Sequence, residues 1–285
     1  MRIFKQTLFC LSAVIMAGLL LSAKTEKMKE KTQKSDTKDV LVDMHTTMGD
    51  VRILLYGDTP KHLENFVKLT NEGYYDGMLF HRVINEFMVQ TGDPDSKNAR
   101  AGQMLGSGDP DYMIEAEFVY PKHFHKRGAL AAARQGDSVN PEKKSSGSQF
   151  YIVTGKVYSP EQLDMMDQRR IQEQMRSIFD RLVRENRDTI MALRDKGDET
   201  ALRDLQEKLI EQTEKEAASA PDTLTAAQRE AYSTVGGTPH LDGSYTVFGE
   251  VVSGMDVIDK IQKAETDGND RPTEDIRIIS MKIVK

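Results

Sequence analysis

The chain has 285 residues, a formal net charge of −6 and 29% charged residues. That length allows a full hydrophobic core in one or two domains. The acidic balance, with no basic stripe interleaved with aromatics, argues against nucleic-acid binding. At the start, Arg2 and Lys5 form a positive region, Leu8 to Leu21 is nearly all apolar, and Leu21-Ser22-Ala23 ends in small residues. This is the pattern of a secretory signal. The apolar run is short for a membrane span, which needs about 20 residues. Residues 1–23 are therefore read as a signal peptide cleaved after Ala23, with an uncleaved anchor as the alternative. Cys10 is the sole cysteine. It follows Thr7-Leu8-Phe9, which does not form a lipoprotein processing box, so no lipid anchor is expected. The mature chain would hold no thiol or disulfide, and its expected location is the periplasm or cell envelope.

Residues 24–39 form a polar linker; Lys24 to Lys38 holds six lysines and three acids with no apolar period. Such a segment buries too little surface to offset its chain entropy. The folded part is expected from Val40. Val40, Val42 and Met44 alternate with polar partners, Thr46 to Asp50 reads as a turn, and Val51 to Leu55 reads as a second strand of a hairpin. Thr59-Pro60 marks a helix start, with a capping hydroxyl before proline at the first position. Leu63, Phe66, Val67 and Thr70 give it one buried face, and Gly73 is placed to end it. Phe80 to Ile84 and Phe87 to Asp93 are apolar runs holding one arginine and one glutamine. Strand alternation puts Phe80, Arg82 and Ile84 on one side, with His81 and Val83 on the other. A cation among apolar groups needs a reason to be there; His81 is read as a packed, hydrogen-bonded histidine.

Residues 93–117 read as a long loop. His123 and His125 fit one face of a strand but lack a third ligand, so no metal site is expected. Gln149 to Thr154 is a strand. From Glu161 to Glu230 the composition changes to one glycine, one proline, one aromatic and 29 charged residues. Leu163, Met166, Ile171, Met175, Ile178, Phe179 and Leu182 recur at helical spacing. Lys196-Gly197 reads as a stop, Asp198 as the cap of a second helix, and Thr225 to Tyr232 as a short third. An inserted helical hairpin over residues 159–234 is expected. Its roles are open: a solvated elaboration, a partner-binding arm or a lid. After it come Gly236 to Pro239 as a turn, Thr246 to Val252 as a strand, a helix with Met255, Ile258 and Ile261 on one face, and a last strand near Ile276 to Ile283.

Five segments together, in order, carry a family resemblance. Phe80 to Asp93, Gly128 to Ala133, Ser146 to Ile152, Leu241 to Gly249 and Gly254 to Ile261 resemble the cyclophilin family of peptidyl-prolyl isomerases. The resemblance covers residues 40–158 and 235–285. It implies a mainly β fold: a closed, eight-stranded antiparallel barrel capped by helices and interrupted by the helical insertion. It implies no cofactor, and proline-containing polypeptides as partners, here folding exported proteins. Arg82, Phe87 and Gln90 take the catalytic positions. Met88, Ala133, Arg134, Gln149, Tyr151, His240, Leu241 and Tyr245 take the substrate-binding positions. Tyr151 adds a hydroxyl where the family usually has phenylalanine, Arg134 replaces a common asparagine, and His240 and Tyr245 replace tryptophan and histidine. The residues before Gly102 replace most of the family's glycine-rich rim. The alternative function is a cyclophilin-like chaperone or binding module that works through the insertion.

Overall fold

The computed structural model describes residues 37–284. The expected signal segment and nearly all of the linker lie outside the described residues. The chain opens on a hairpin of β1 (Val40–Thr46) and β2 (Gly49–Leu55). Val42 lies opposite Ile53 and Met44 opposite Val51. All four are buried and alternate with more exposed residues, so one face of the hairpin enters the core.

Helix α1 (Pro60–Asn71) follows, burying Leu63, Phe66, Leu69 and Thr70. The expected hydroxyl cap is not made: Thr59 Oγ1 donates back to Tyr56 O at 3.1 Å. A distant carboxylate takes its place. Glu117 accepts from the backbone N–H groups of Lys61 and His62 at 3.1 and 3.0 Å, satisfying donors that every helix start leaves open.

Next come β3 (Arg82–Ile84), β4 (Met88–Thr91), β5 (Met113–Ile114), β6 (Ala129–Ala132), β7 (Ser145–Ser146) and β8 (Phe150–Val153). After the insertion come β9 (Val247–Ser253) and β10 (Ile278–Ile283). Eight strands form one antiparallel sheet in the order β10-β1-β2-β9-β6-β8-β4-β3, while β5 and β7 pair separately. The expected closed barrel is corrected to a curled half-barrel, because β10 and β3 are not paired as strands. The residues just before β3 and those at the entry to β10 make a partial seam instead: Phe80 N–H donates to Ile276 O and Ile278 N–H to Met78 O, both at 2.9 Å. The edge of β3 is occupied by a turn, with Val83 N–H donating to Asp270 O at 2.8 Å.

The sheet has two apolar faces. The concave one buries Phe66, Tyr75, Phe80, Val83, Phe150 and Phe248 among aliphatic neighbours. The outer one gathers Met88, Ala131, Tyr151 and Val247, with Phe87, Leu241 and Tyr245 packed against them. Phe80 thus lies with Val83, away from Arg82 and Ile84, contrary to simple alternation. Regular strand geometry begins only at Arg82.

The insertion has four helices: α2 (Pro160–Glu185), α3 (Arg187–Lys196), α4 (Glu199–Ser219) and α5 (Ala226–Thr234). Capping boxes begin α2 at Ser159 and α5 at Thr225, while Asp198 caps α4. Gly197, at φ 67°, ends α3. Helix α4 packs along α2 and α3, burying Leu182 of α2 with Leu209 and Ala217 of α4. With these, helices hold more of the described residues than strands do, so "mainly β" gives way to a mixed fold. The insertion leaves and returns at one point. Lys156 and Gly237 exchange backbone hydrogen bonds at 3.3 and 3.1 Å, and Tyr158 N–H donates to Tyr232 O at 3.0 Å. A last helix, α6 (Met255–Gln262), buries Val257, Ile258 and Ile261.

Candidate active site

A cleft of about 430 Å³ opens over the outer apolar face of the sheet. Sheet register builds it. Arg82 on β3 faces Gln90 on β4, Gln90 faces Tyr151 on β8, and Tyr151 faces Ala131 on β6. Three adjacent strands therefore present a cation, an amide and an aromatic ring in one row. Phe87, Met88, Tyr151, Leu241 and Tyr245 supply apolar walls, and Ala133 and Arg134 border them. Phe87 falls on this side because it precedes the first regular residue of β4.

The polar groups form a relay. Arg82 Nη1 donates to Gln90 Oε1 at 3.4 Å. Gln90 Nε2 donates to Gln149 Oε1 at 3.0 Å, and Gln149 Nε2 donates to the carbonyls of Gly106 and Gly108 at 3.1 and 2.6 Å. Gln149 is 6% exposed, so its amide orientation is set by these partners. The Arg82 side chain is 43% exposed, with Asp270 at 3.9 Å and the Phe87 ring centroid at 6.0 Å. A guanidinium has five donors, so most of Arg82's remain available to a molecule in the cleft.

Arg134 is disposed differently. Its side chain is 5% exposed, and it donates to the carbonyls of Ser244 and Gln135 at 2.8 and 2.9 Å and to Asp137 at 2.6 Å. Its guanidinium lies 4.4 Å from the Tyr245 ring centroid, so it props a cleft wall. His240 is exposed and stacks on Phe87 at 5.5 Å, outside the set of residues that line the cleft. Partial desolvation of its ring, reinforced by the nearby His125 and opposed by Asp242, lowers its pKa below the ordinary histidine value. Tyr151 is buried, and burial raises its phenol well above the ordinary range, so the hydroxyl stays protonated and can donate.

Several cleft residues had no clear sequence signal. His81 is 4% exposed, and among the described residues neither ring nitrogen has a hydrogen-bond partner. The expected hydrogen-bonded histidine is thus only packed. Burial, partly opposed by Asp93, lowers its pKa to about 4. The rim is Gln103 to Gly106, with Met104 72% exposed. Arg271 holds that rim by donating to the carbonyls of Arg100 and Gln103 at 2.9 and 3.2 Å. The turn signal around Gly268 marks a loop but not its position against the cleft.

His123 and His125 lie in a loop, not on one strand face. His123 Nε2 meets Asp58 at 2.8 Å, and its ring stacks on Tyr56 at 3.9 Å. His125 turns toward Asp242 and Tyr151.

Residues 41–215 and 216–283 match the family model described as cyclophilin type peptidyl-prolyl cis-trans isomerase/CLD. The chain is 30% identical over 247 residues to a protein from Staphylococcus epidermidis named as a peptidyl-prolyl cis-trans isomerase, covering 86% of this chain and 92% of that one. A Staphylococcus aureus protein with the same description is 28% identical over 259 residues, covering 90% and 96%. Among solved structures, a Cryptosporidium parvum cyclophilin type peptidyl-prolyl cis-trans isomerase has a similar fold, with TM-score 0.50 and 19% identity. That match covers 87% of this chain and 98% of the other.

Proposed function

The chain belongs to the cyclophilin-type peptidyl-prolyl cis-trans isomerases, and from that premise we propose that its cleft turns X-Pro bonds with Arg82 as the group that meets the twisted amide. The reaction is slow unaided because the amide has partial double-bond character, with a barrier of ~18–20 kcal/mol. Twisting the C–N bond returns a lone pair to the prolyl nitrogen, which then accepts a hydrogen bond. A guanidinium is always charged and donates through a rigid fork, so no proton transfer is required. The contact exists mainly in the twisted state, which is the condition for acceleration. Phe87, Met88, Tyr151 and Leu241 hold the pyrrolidine ring while the preceding residue rotates. Gln90, held by Gln149, orients Arg82.

The observation that carries this reading is the pairing of Arg82 with Gln90 beside an apolar pocket. Arg82→Ala removes charge-assisted donors that contribute about 1.5–3 kcal/mol, so catalysis should fall about 10- to 100-fold. Exchange spectroscopy on a proline peptide reads the rate. Acceleration by the variant equal to that of the parent chain would discard Arg82 as the catalyst.

The substrates proposed are exported proteins in the course of folding. This rests on the N-terminal pattern of Arg2, Lys5 and the Leu8 to Leu21 run. Envelope protein beginning at Lys24 would support it; recovery of the chain only inside the cell, with Met1 retained, would not.

A further inference from the structure

A buried polar chain, unused by the reaction itself, joins the insertion to the cleft. Tyr151 lines the cleft, and its buried hydroxyl lies 3.0 Å from His125 Nε2. His125 is fully buried. Its Nδ1 lies 3.1 Å from Asp242 Oδ1, which also accepts the His125 backbone N–H at 2.9 Å. The other oxygen of Asp242 accepts from the Tyr232 hydroxyl at 2.7 Å and from Gln228 Nε2 at 2.9 Å. Gln228 and Tyr232 belong to α5 and are fully buried. Helix α5 is in turn held to α2: Arg229 donates to Asp167 at 2.5 Å.

Donor and acceptor capacity orients the chain. A carboxylate only accepts, so Nδ1 donates to Asp242, and the Tyr151 hydroxyl, which can both donate and accept, pairs with Nε2 whichever role that nitrogen takes. Every polar atom along this path then has a partner, as buried polar atoms require. The imidazole also meets the cleft through its rings, with Tyr151 stacked at 6.1 Å and Tyr245 edge-on at 6.3 Å. Asp242 directly follows Leu241, another cleft wall. Without Tyr232 and Gln228, the inner oxygen of Asp242 would face protein interior with no donor.

We infer that the helical insertion is a positioning element for the proline pocket: Tyr232 and Gln228 hold Asp242, Asp242 holds His125, and His125 holds the hydroxyl of Tyr151. This rests on the isomerase reading of the cleft and gives the insertion a part in it. The chain needs the hydroxyl of Tyr151; a phenylalanine there would leave His125 Nε2 unpaired. The positioning residues touch no substrate and act through the orientation of Tyr151 and the adjoining wall.

The test is Tyr232→Phe, alone and combined with Tyr151→Phe, in the full chain. Phenylalanine keeps the ring that packs on Phe124 and Tyr158 and removes only the hydroxyl. The readouts are the imidazole nitrogen resonances of His125, and kcat and KM for a proline peptide by exchange spectroscopy. Tyr232→Phe should move the His125 resonances and lower kcat/KM roughly three- to tenfold, mainly through KM, as coupled neighbours do. In the Tyr151→Phe background the same substitution should lose most of its effect on kcat/KM, because the chain is already broken. Unmoved His125 resonances, or two effects that multiply independently, overturn the proposal. Should Tyr232→Phe fail to fold, Gln228→Met removes the second donor to Asp242, and Thr225→Ala, which breaks the same capping box but leaves that donor in place, is its control: a shift of the His125 resonances in the first and not the second supports the proposal, and equal shifts overturn it. Failure of the isomerase reading looks different: the unaltered chain gives no Arg82-dependent acceleration. In that event the His125 resonances and peptide affinity by titration still decide whether the insertion sets the pocket.

Discussion

Acidification should weaken the fold through His81, and replacing that one side chain should remove a defined part of the effect. His81 is packed beside Arg82 with both ring nitrogens unpartnered among the described residues. Burial lowers its pKa from 6.5 to about 4, with Arg82 and Arg271 adding to the lowering and Asp93 opposing it. The unfolded chain takes up a proton near pH 6.5, whereas the folded chain resists until about pH 4. The stability contributed by the neutral ring is therefore complete above pH 6.5 and is lost as pH falls toward 4. At about 1.4 kcal/mol per pKa unit, the loss between pH 7.5 and pH 5.0 comes to about 2 kcal/mol. For a domain of this size that is a fall in Tm of about 4–8 °C. The assay is urea denaturation of the parent chain and of His81→Gln at both pH values. Other titrating groups are common to both proteins, so the difference between them isolates the imidazole. The parent should lose about 2 kcal/mol more than the variant on acidification. Equal losses in the two proteins would refute the reasoning.

Gln149→Leu should uncouple the relay behind Arg82 by removing the acceptor of Gln90 and the donor to Gly106 and Gly108. The expected result is a fall of about tenfold in kcat/KM, with faster amide exchange in the Gln103 to Gly108 rim; an unchanged rate would show that Gln90 orients Arg82 unaided. Gly237→Ala should destabilise the chain by about 2–3 kcal/mol. Its Cβ would lie 2.3 Å from His125 O and 2.5 Å from Tyr232 Cε1. A urea midpoint unchanged by that methyl group would mean that the junction yields at no cost.

Much of the local structure is legible residue by residue. Ser159 with Gln162, Asp198, and Thr225 with Gln228 announce helix starts because capping involves neighbours three residues apart. Arg82, Gln90 and Tyr151 are legible as a group only through family resemblance. Their juxtaposition depends on register between strands far apart in the chain. The same distance hides the cap on α1, where Glu117 reaches Lys61 and His62 from more than fifty residues away. It also hides the rim's anchorage by Arg271.

Sequence by itself determined the helical insertion, the hairpin that opens the fold and the residue types of the cleft. Each depends on periodicity, capping or a short motif, all local properties of a chain. Tertiary structure alone decided that the sheet stays open, because β3 gives its edge to the turn at Asp270. It also decided that Phe80 faces the core while Arg82 faces the cleft, since alternation holds only where a strand is regular. And only packing could seat Tyr232 against Asp242 and His125 against Tyr151, because buried polar groups take whichever partners the fold brings within reach.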